Sequence, residues 1–265
     1  MEVLTERSSR VVSYAKLHRS SVRRSEGRFL VEGANAVESA LATRRAQRIL
    51  VRDGDVDRFA ALVDSAHTGG LPVEILSERA VAKLTEATTA PGVFAISALL
   101  DRLLPDVLDT SASLLAVAVE PREPGNLGTL IRCADAMGAD AVILLGDSVD
   151  PHNGKCVRSS AGSVFHVPIV RERDITAGLA AIRDAGVAVL ATAADGEISL
   201  DDADGLLAAP TAWLFGNEAH GLSDEVAARA DHRVSIPIHG RAESLNLAAA
   251  AAICLYASAR VQARS

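Results

Sequence analysis

Three short segments of this chain combine glycine with side chains that could bind or activate a ligand. The first is Glu120-Pro-Arg-Glu-Pro-Gly-Asn-Leu-Gly-Thr-Leu-Ile-Arg132, the second Leu214-Phe-Gly-Asn-Glu-Ala-His-Gly-Leu222, the third Ile236-Pro-Ile-His-Gly-Arg-Ala-Glu-Ser-Leu-Asn-Leu247. Arg132 offers a fixed cation, suited to clamping a phosphate or balancing developing charge. Asn126, Ser244 and Asn246 offer neutral donors and acceptors, and Glu218 a carboxylate. Gly216, Gly221 and Gly240 let backbone approach a ligand closely, while Leu214, Ile236, Ile238 and Leu245 supply apolar walls. His220 and His239 read as polar lining of the same loops.

The common signatures of other chemistries are missing. No G-x-G-x-x-G follows a strand, and Gly154-Lys155 lacks both the earlier glycine and the following hydroxyl of a P-loop. Neither G-x-S-x-G nor H-E-x-x-H occurs. His152 and Cys156 form an isolated pair, so no metal site is expected. Cys133, Cys156 and Cys254 are odd in number and widely spaced, which fits neither a disulfide framework nor a zinc site and points to a reducing cytosol.

The elements that must carry these segments alternate between strand-like and helix-like patterns, which reads as an α/β fold. Strands are expected at 29–31, 48–51, 73–76 and 93–100, with helices at 34–42, 56–66 and 77–84. The acidic stretch 101–112 contains a proline and has weak periodicity, so it is read as a linker between domains at 1–100 and 113–265. Beyond it, Leu114–Val119 is a continuous apolar run typical of a buried parallel strand. Asn126 is read as the N-cap of the next helix, with Gly138 as its stop. Further strands are expected at 141–145, 167–170, 187–191, 212–215 and 234–236, and helices at 176–185, 223–230 and 243–258. All three Gly-rich segments follow strands, and open α/β sheets bind ligands outside the carboxyl ends of their strands. The segments can therefore converge on one site.

The chain has 265 residues, 49% of them hydrophobic and 23% charged, enough for one large or two small cores. No apolar run is long enough to span a membrane, and no signal peptide is read after Met1. The net charge is -7, but it is unevenly placed. Residues 1–28 carry seven basic and three acidic side chains, +4, against -11 for the remainder. Such a basic arm either binds phosphates locally or forms a solvated first helix.

The three segments carry a resemblance to the SPOUT superfamily, in its SpoU (TrmH-like) branch of RNA ribose 2′-O-methyltransferases. Asn126, Gly128 and Arg132 match the first family motif; Gly216, Glu218 and Gly221 the second; Ile236, Pro237, Ser244, Leu245, Asn246 and Ala250 the third. Lys155, Arg158, Ser159 and Gly162 resemble the family's helix after the second strand of the catalytic domain. Residues 10–98 look like the family's N-terminal RNA-binding domain, similar to ribosomal protein L30e. Gly27–Gly33 matches its opening strand and Pro91–Ala95 its closing one, although Ala90 stands where relatives usually carry Gln.

The resemblance implies a parallel sheet with a C-terminal trefoil knot, a homodimer through the knotted domain, and S-adenosylmethionine held in a bent pose. Its implied cofactor set is Ala193, Leu214, Phe215, Gly216, Asn217, Gly221, Ile236, Ile238, Leu245 and Asn246. Its implied catalytic set is Arg132, Asn126, Glu218, Ser244 and Asn246, with Arg132 either a desolvated base or a clamp that positions the ribose hydroxyl. Arg7, Arg10, Lys16, Arg19, Arg23 and Arg24, with Arg122 and Arg158 nearer the active site, are the expected RNA contacts. The implied activity is cytoplasmic ribose methylation of structured RNA, 23S ribosomal RNA foremost. Transfer RNA, a thiostrepton-type resistance target and a non-catalytic ribosome-assembly role stand as alternatives.

Overall fold

In the computed structural model, which describes residues 2–108, 112–217 and 219–263, the chain divides into two compact units. One comprises residues 1–100 and 150–166, the other 101–149 and 167–265.

In chain order the first unit opens with β1 (Val3–Leu4), α1 (Ser9–Lys16), α2 (Ser20–Glu26), β2 (Arg28–Glu32), α3 (Ala34–Ala42) and β3 (Ala46–Arg52). It continues through α4 (Ala60–Thr68), β4 (Val73–Leu76), α5 (Glu78–Leu84) and β5 (Val93–Ala98). Its sheet runs β1-β4-β3-β5-β2, with β5 antiparallel to both neighbours and the remaining pairs parallel. On α1 the buried residues are Val11 and Tyr14, three apart, and they join Leu30, Leu50, Phe94 and Ile96 in one core.

The second unit begins with β6 (Asp101–Arg102), α6 (Leu104–Leu108), β7 (Leu114–Val119), α7 (Pro124–Ala136) and β8 (Ala141–Leu145). The chain then contributes α8 (Gly154–Ser159) to the first unit. It resumes with β9 (Ile169–Glu172), α9 (Ile175–Asp184), β10 (Ala188–Thr192), β11 (Ile198–Ser199), α10 (Asp204–Leu207), β12 (Thr211–Phe215), α11 (Asp224–Ala227), β13 (His232–Ser235) and α12 (Leu247–Gln262).

Eight strands in the order β11-β13-β10-β12-β7-β8-β9-β6 make the second sheet, and every pair is parallel. Strands β7, β8 and β12 are buried at every position, as continuous apolar runs in a sheet covered on both faces should be. On one face Leu115, Val117, Ile143 and Leu214 pack with Leu179 and Ile182 of α9. On the other, α7 and α12 lie together, and the buried Trp213 indole donates to Ser258 Oγ of α12 at 2.9 Å.

Several boundaries differ from the sequence expectation. Residues 101–108 of the expected linker form β6, which extends the sheet beside β9, and α6, whose Leu104 and Val107 are buried in the core. Segment 150–166 packs with the first unit, not with the residues that flank it. Helix α7 starts at Pro124, where a missing N–H is harmless and φ is already helical, so Asn126 sits inside the first turn and does not cap. Helix α12 starts four residues later than expected, because Asn246 caps it by accepting from Ala248 N at 2.9 Å. Helix α4 is preceded by a turn over 53–59, and α11 is a single turn capped by Ser223.

Candidate functional site

Strands β13, β10 and β12 are adjacent, and the loops that leave their carboxyl ends surround a cleft of about 860 Å³. Residues 193–195 follow β10, 216–222 follow β12, and 236–246 follow β13, with Thr192 at the end of β10 and Leu247 at the start of α12 also lining the cleft. Strand β7 is the next neighbour of β12, so α7 leaves the sheet beside the same edge.

The second Gly-rich segment is a tight hairpin. Asn217 and Gly221 exchange backbone hydrogen bonds of 2.9 and 2.8 Å, and Gly221 takes φ +68°. The hairpin closes onto Gly216, where any Cβ would overlap the Gly221–Leu222 backbone. Glycine is thus required at 216 by close approach and favoured at 221 by its left-handed backbone. The third segment stands open, with the side chains of Ile238 and Leu245 37% and 39% exposed at the cleft. Large apolar groups exposed around a concavity commonly line ligand surfaces.

Both polar loops reach toward α7. Asn246 Nδ2 donates to Asn126 Oδ1 at 3.0 Å, while its Oδ1 caps α12. Asn217 Nδ2 donates to the carbonyl of Glu120 at 2.8 Å. Arg132, two turns into α7, is exposed to solvent, whereas Leu127, Leu130, Ile131 and Ala134 are buried and anchor the helix. Cys133 beside it is half-buried, and burial pushes its thiol above the ordinary value, against the nearby Arg132 charge, so it is held as a neutral thiol.

Of the residues expected at the cofactor, the cleft brings together Ala193, Phe215, Gly216, Asn217, Gly221, Ile236, Ile238, Leu245 and Asn246, with Ser244 alongside. Leu214 is a correction: it is wholly buried in the sheet core because β12 points it at α9's side, and it offers the site only its carbonyl, which accepts from Thr192 Oγ1 at 2.8 Å. Glu218 lies outside the described residues. Thr192, Asp195, Leu222, Asp224, Arg233 and Glu243 line the cleft without having been singled out. The carboxyl-end rule applied to β10 would have found the first two. Arg233 is held by Asp195 across the β10 and β13 loops, which raises its pKa through that hydrogen bond and holds the Asp195 carboxyl below its usual value.

This cleft suits an amphiphilic ligand with a flat apolar part and polar ends. Residues 113–256 match the model of the SpoU rRNA Methylase family, and residues 30–101 match RNA 2'-O ribose methyltransferase substrate binding. The chain belongs to the SpoU rRNA methylase family. It is 34% identical, over 96% of this chain and 98% of the relative, to the 23S rRNA (guanosine(2553)-2'-O)-methyltransferase RlmP of Bacillus subtilis. It is 32% identical to the 23S rRNA (uridine(2479)-2'-O)-methyltransferase of Streptomyces viridochromogenes, over 97% and 91% of the two chains. Among solved structures it superposes on the AdoMet-bound rRNA methyltransferase of Sinorhizobium meliloti with a TM-score of 0.85 at 30% identity, covering 98% and 97% of the chains.

The cations expected to meet RNA in this SpoU chain divide sharply. Lys16, Arg19 and Arg24 are exposed and form no side-chain ion pair among the described residues, and Arg7 reaches Glu6 only at 3.9 Å. Arg10 is half-exposed but bound at 2.8 Å to the buried Glu74, which also accepts from Arg48 and Tyr14. Arg122 pairs with Asp147 at 2.8 Å and Arg158 with the buried Glu32 at 2.6 Å.

Arg23 is a correction. It is 3% exposed, donates to the carbonyls of Leu17 and His18, and grips Asp150 through two nitrogens at 2.6 and 2.9 Å. Asp150 in turn meets His152 Nδ1 at 3.2 Å, and His152 Nε2 accepts from Leu100 N. Burial alone would raise the Asp150 carboxyl, but His152 and Arg23 outweigh it and hold it well below the carboxylate range. Arg23 therefore fastens α2 to segment 150–166 within the first unit and is too buried to be presented to RNA. Among the described residues no group of three His, Cys, Asp or Glu side chains is placed to hold a metal, and no helix is long and apolar enough to cross a membrane.

Proposed function

We propose that the protein methylates a ribose 2′-hydroxyl of 23S ribosomal RNA, using S-adenosylmethionine as donor. The observation that carries this reading is the cleft at the ends of β10, β12 and β13, tied by Asn246 to the helix that bears Arg132 and by Asn217 to the turn that precedes it. The residues present fit the donor. Ile236, Ile238 and Leu245 offer an apolar wall for adenine, the closely approaching backbone of Gly216 and Gly221 offers amides and carbonyls, and Asp195, Asp224 and Glu243 suit the cationic end. When bound, S-adenosylmethionine supplies an electrophilic methyl on its sulfonium sulfur.

The chain must then place the ribose oxygen in line with that methyl, so that the bond to oxygen forms as the bond to sulfur breaks, and the proton the oxygen loses passes to solvent water, to which the Arg132 position is open. A guanidinium stays protonated in proteins, so Arg132 is not the base. Its planar fork on a rigid helix instead clamps a nucleotide phosphate and steadies the charge that grows on the oxygen. Asn126, held by Asn246, fixes the first turn of the same helix. Ser244 lines the cleft and offers its hydroxyl to substrate there.

The first unit supplies the RNA grip, through Lys16, Arg19, Arg24 and Arg7, with contacts to phosphates and shape. A homodimer through the second unit is supported by α12, where Ala249, Ile253 and Tyr256 lie exposed at helical spacing, Tyr256 by 57%. The knotted threading of the last helix is part of the same reading, and a ribosomal substrate implies the cytoplasm.

The test is transfer of labelled methyl into RNA from cells lacking the modification, fractionated into ribosomal and transfer pools. Counts in 23S RNA, with one linkage newly resistant to alkali, are expected. Counts confined to transfer RNA would overturn the substrate.

A further inference from the structure

The turn that launches α7 is strained, and one side chain from the cleft holds it. Glu120 has φ +49°, a backbone that side-chain-bearing residues rarely adopt. It also precedes Pro121, whose ring pushes the preceding residue toward extended backbone. Two independent preferences thus oppose the conformation observed. It is fixed from three directions. Glu120 N donates to the Leu145 carbonyl at 2.9 Å, its side chain covers Gly146, where a Cβ would come within 2.7 Å of Glu120 Cγ, and its carbonyl accepts from Asn217 Nδ2 at 2.8 Å. The other end of the Asn217 amide accepts from Ala219 N at 2.8 Å, inside the hairpin that borders the cleft.

Both ends of that amide are therefore engaged within the protein, at the border of the cleft. We infer that Asn217 is a positioning residue, which couples the cofactor hairpin to the strained Glu120 turn and thereby sets where the first turn of α7 presents Asn126 and Arg132. If the amide lets go, Glu120 is free to relax toward extended backbone. The Pro121–Pro124 entry then rotates, and the first helical hydrogen bond, Leu127 N to Glu123 O at 3.1 Å, loosens. The body of α7 stays packed through Leu127, Leu130, Ile131 and Ala134, so the effect is on geometry and not on folding. Filling the cleft settles the hairpin and so tightens the entry of α7, which links donor binding to the substrate side.

This inference rests on the proposed methyl-transfer reading, and its test separates the two. Asn217→Asp keeps the acceptor for Ala219 N and replaces the donor to Glu120 by a charged acceptor that repels the Glu120 carbonyl. Single-turnover transfer should fall by about tenfold to a hundredfold, the scale of a small misplacement at a reacting centre. The affinity for S-adenosylhomocysteine, measured by calorimetry, should stay nearly unchanged. In the unmutated protein S-adenosylhomocysteine should slow hydrogen exchange of the Leu127 amide, and in Asn217→Asp that slowing should vanish. Adding Glu120→Gly, which accepts positive φ freely, should restore part of the lost rate.

A loss of affinity as large as the loss of rate would overturn the inference and make Asn217 a plain binding residue. Unchanged rate and unchanged exchange would overturn it too, as would a double variant no faster than Asn217→Asp. Should Asn217→Asp fail to fold by thermal melting, Asn217→Ser is read by the same criteria. Should the unmutated protein bind S-adenosylhomocysteine but methylate no RNA, the proposed function falls, and the exchange of Leu127 alone decides the coupling.

Discussion

In the first unit Arg23 is buried against Asp150, while Arg24, the next residue, stands in solvent. In the second, apolar Ile238 and Leu245 stand open around a cleft, while the polar Asn217 and Asn246 are engaged by backbone and by Asn126. In both regions the side chains whose chemical type is most suggestive are partly committed to holding the structure. The groups available to a ligand are the ones the fold leaves without a partner. Residue type nominates a site, and partner geometry decides which residues remain free to act.

The sharpest way to break this contrast is at Arg23. Arg23→Met should cost about 3–5 kcal/mol of stability, because it leaves the Asp150 carboxylate buried without its partner. Chemical denaturation checks it, and the loss must appear without RNA present. The same pair makes a prediction for acid. The folded Asp150 carboxyl titrates well below the roughly 3.9 of an unfolded aspartate, so its stabilisation is complete above that value and is lost as pH falls toward the folded one. Asp150→Asn should therefore be less stable near neutrality and show a flatter decline of stability below about pH 4.

A smaller effect is expected at the hairpin. Gly216→Ala forces the Gly221–Leu222 backbone to move, an overpacking worth about 1–3 kcal/mol, equivalent to roughly a tenfold to hundredfold loss of S-adenosylhomocysteine affinity by calorimetry. Unaltered affinity would mean that the hairpin does not shape the cofactor surface. The smallest effects belong to the free cations. Replacing Lys16, Arg19 or Arg24 singly by Gln should weaken RNA binding uniformly and lower its logarithmic salt slope by about 1 each, with cofactor affinity unmoved. Arg23, already paired, should leave that slope alone in any variant that folds.

Much of this was legible in the sequence, for identifiable reasons. Strands β7, β8 and β12 were plain because a parallel sheet buried on both faces demands unbroken apolar runs. The convergence of the three loops followed from their position after strands. Helix α8 and its neighbours, by contrast, pack with the first unit although they lie within the sequence of the second, and no local pattern announces such an excursion. The start of α7 was misplaced because Asn126 has the chemistry of a cap, yet Pro124 begins the helix two residues sooner. Arg23 and Arg24 are indistinguishable by type and spacing, and only the arrival of Asp150 from 127 residues away tells them apart. Glu120 gave no sign of its left-handed backbone, since that conformation is imposed by Leu145 and Asn217 and not by its own preference.

The most direct measurement is methyl transfer to unmodified 23S RNA by Arg132→Ala, beside its affinity for S-adenosylhomocysteine. With the cleft built by one set of loops and the reacting geometry by α7, transfer should fall by at least about a hundredfold, as when a charge-stabilising donor is removed, while affinity stays near that of the unmutated protein. Transfer at the original rate would contradict the role given to α7 and, with it, the division between the loops that bind and the helix that acts.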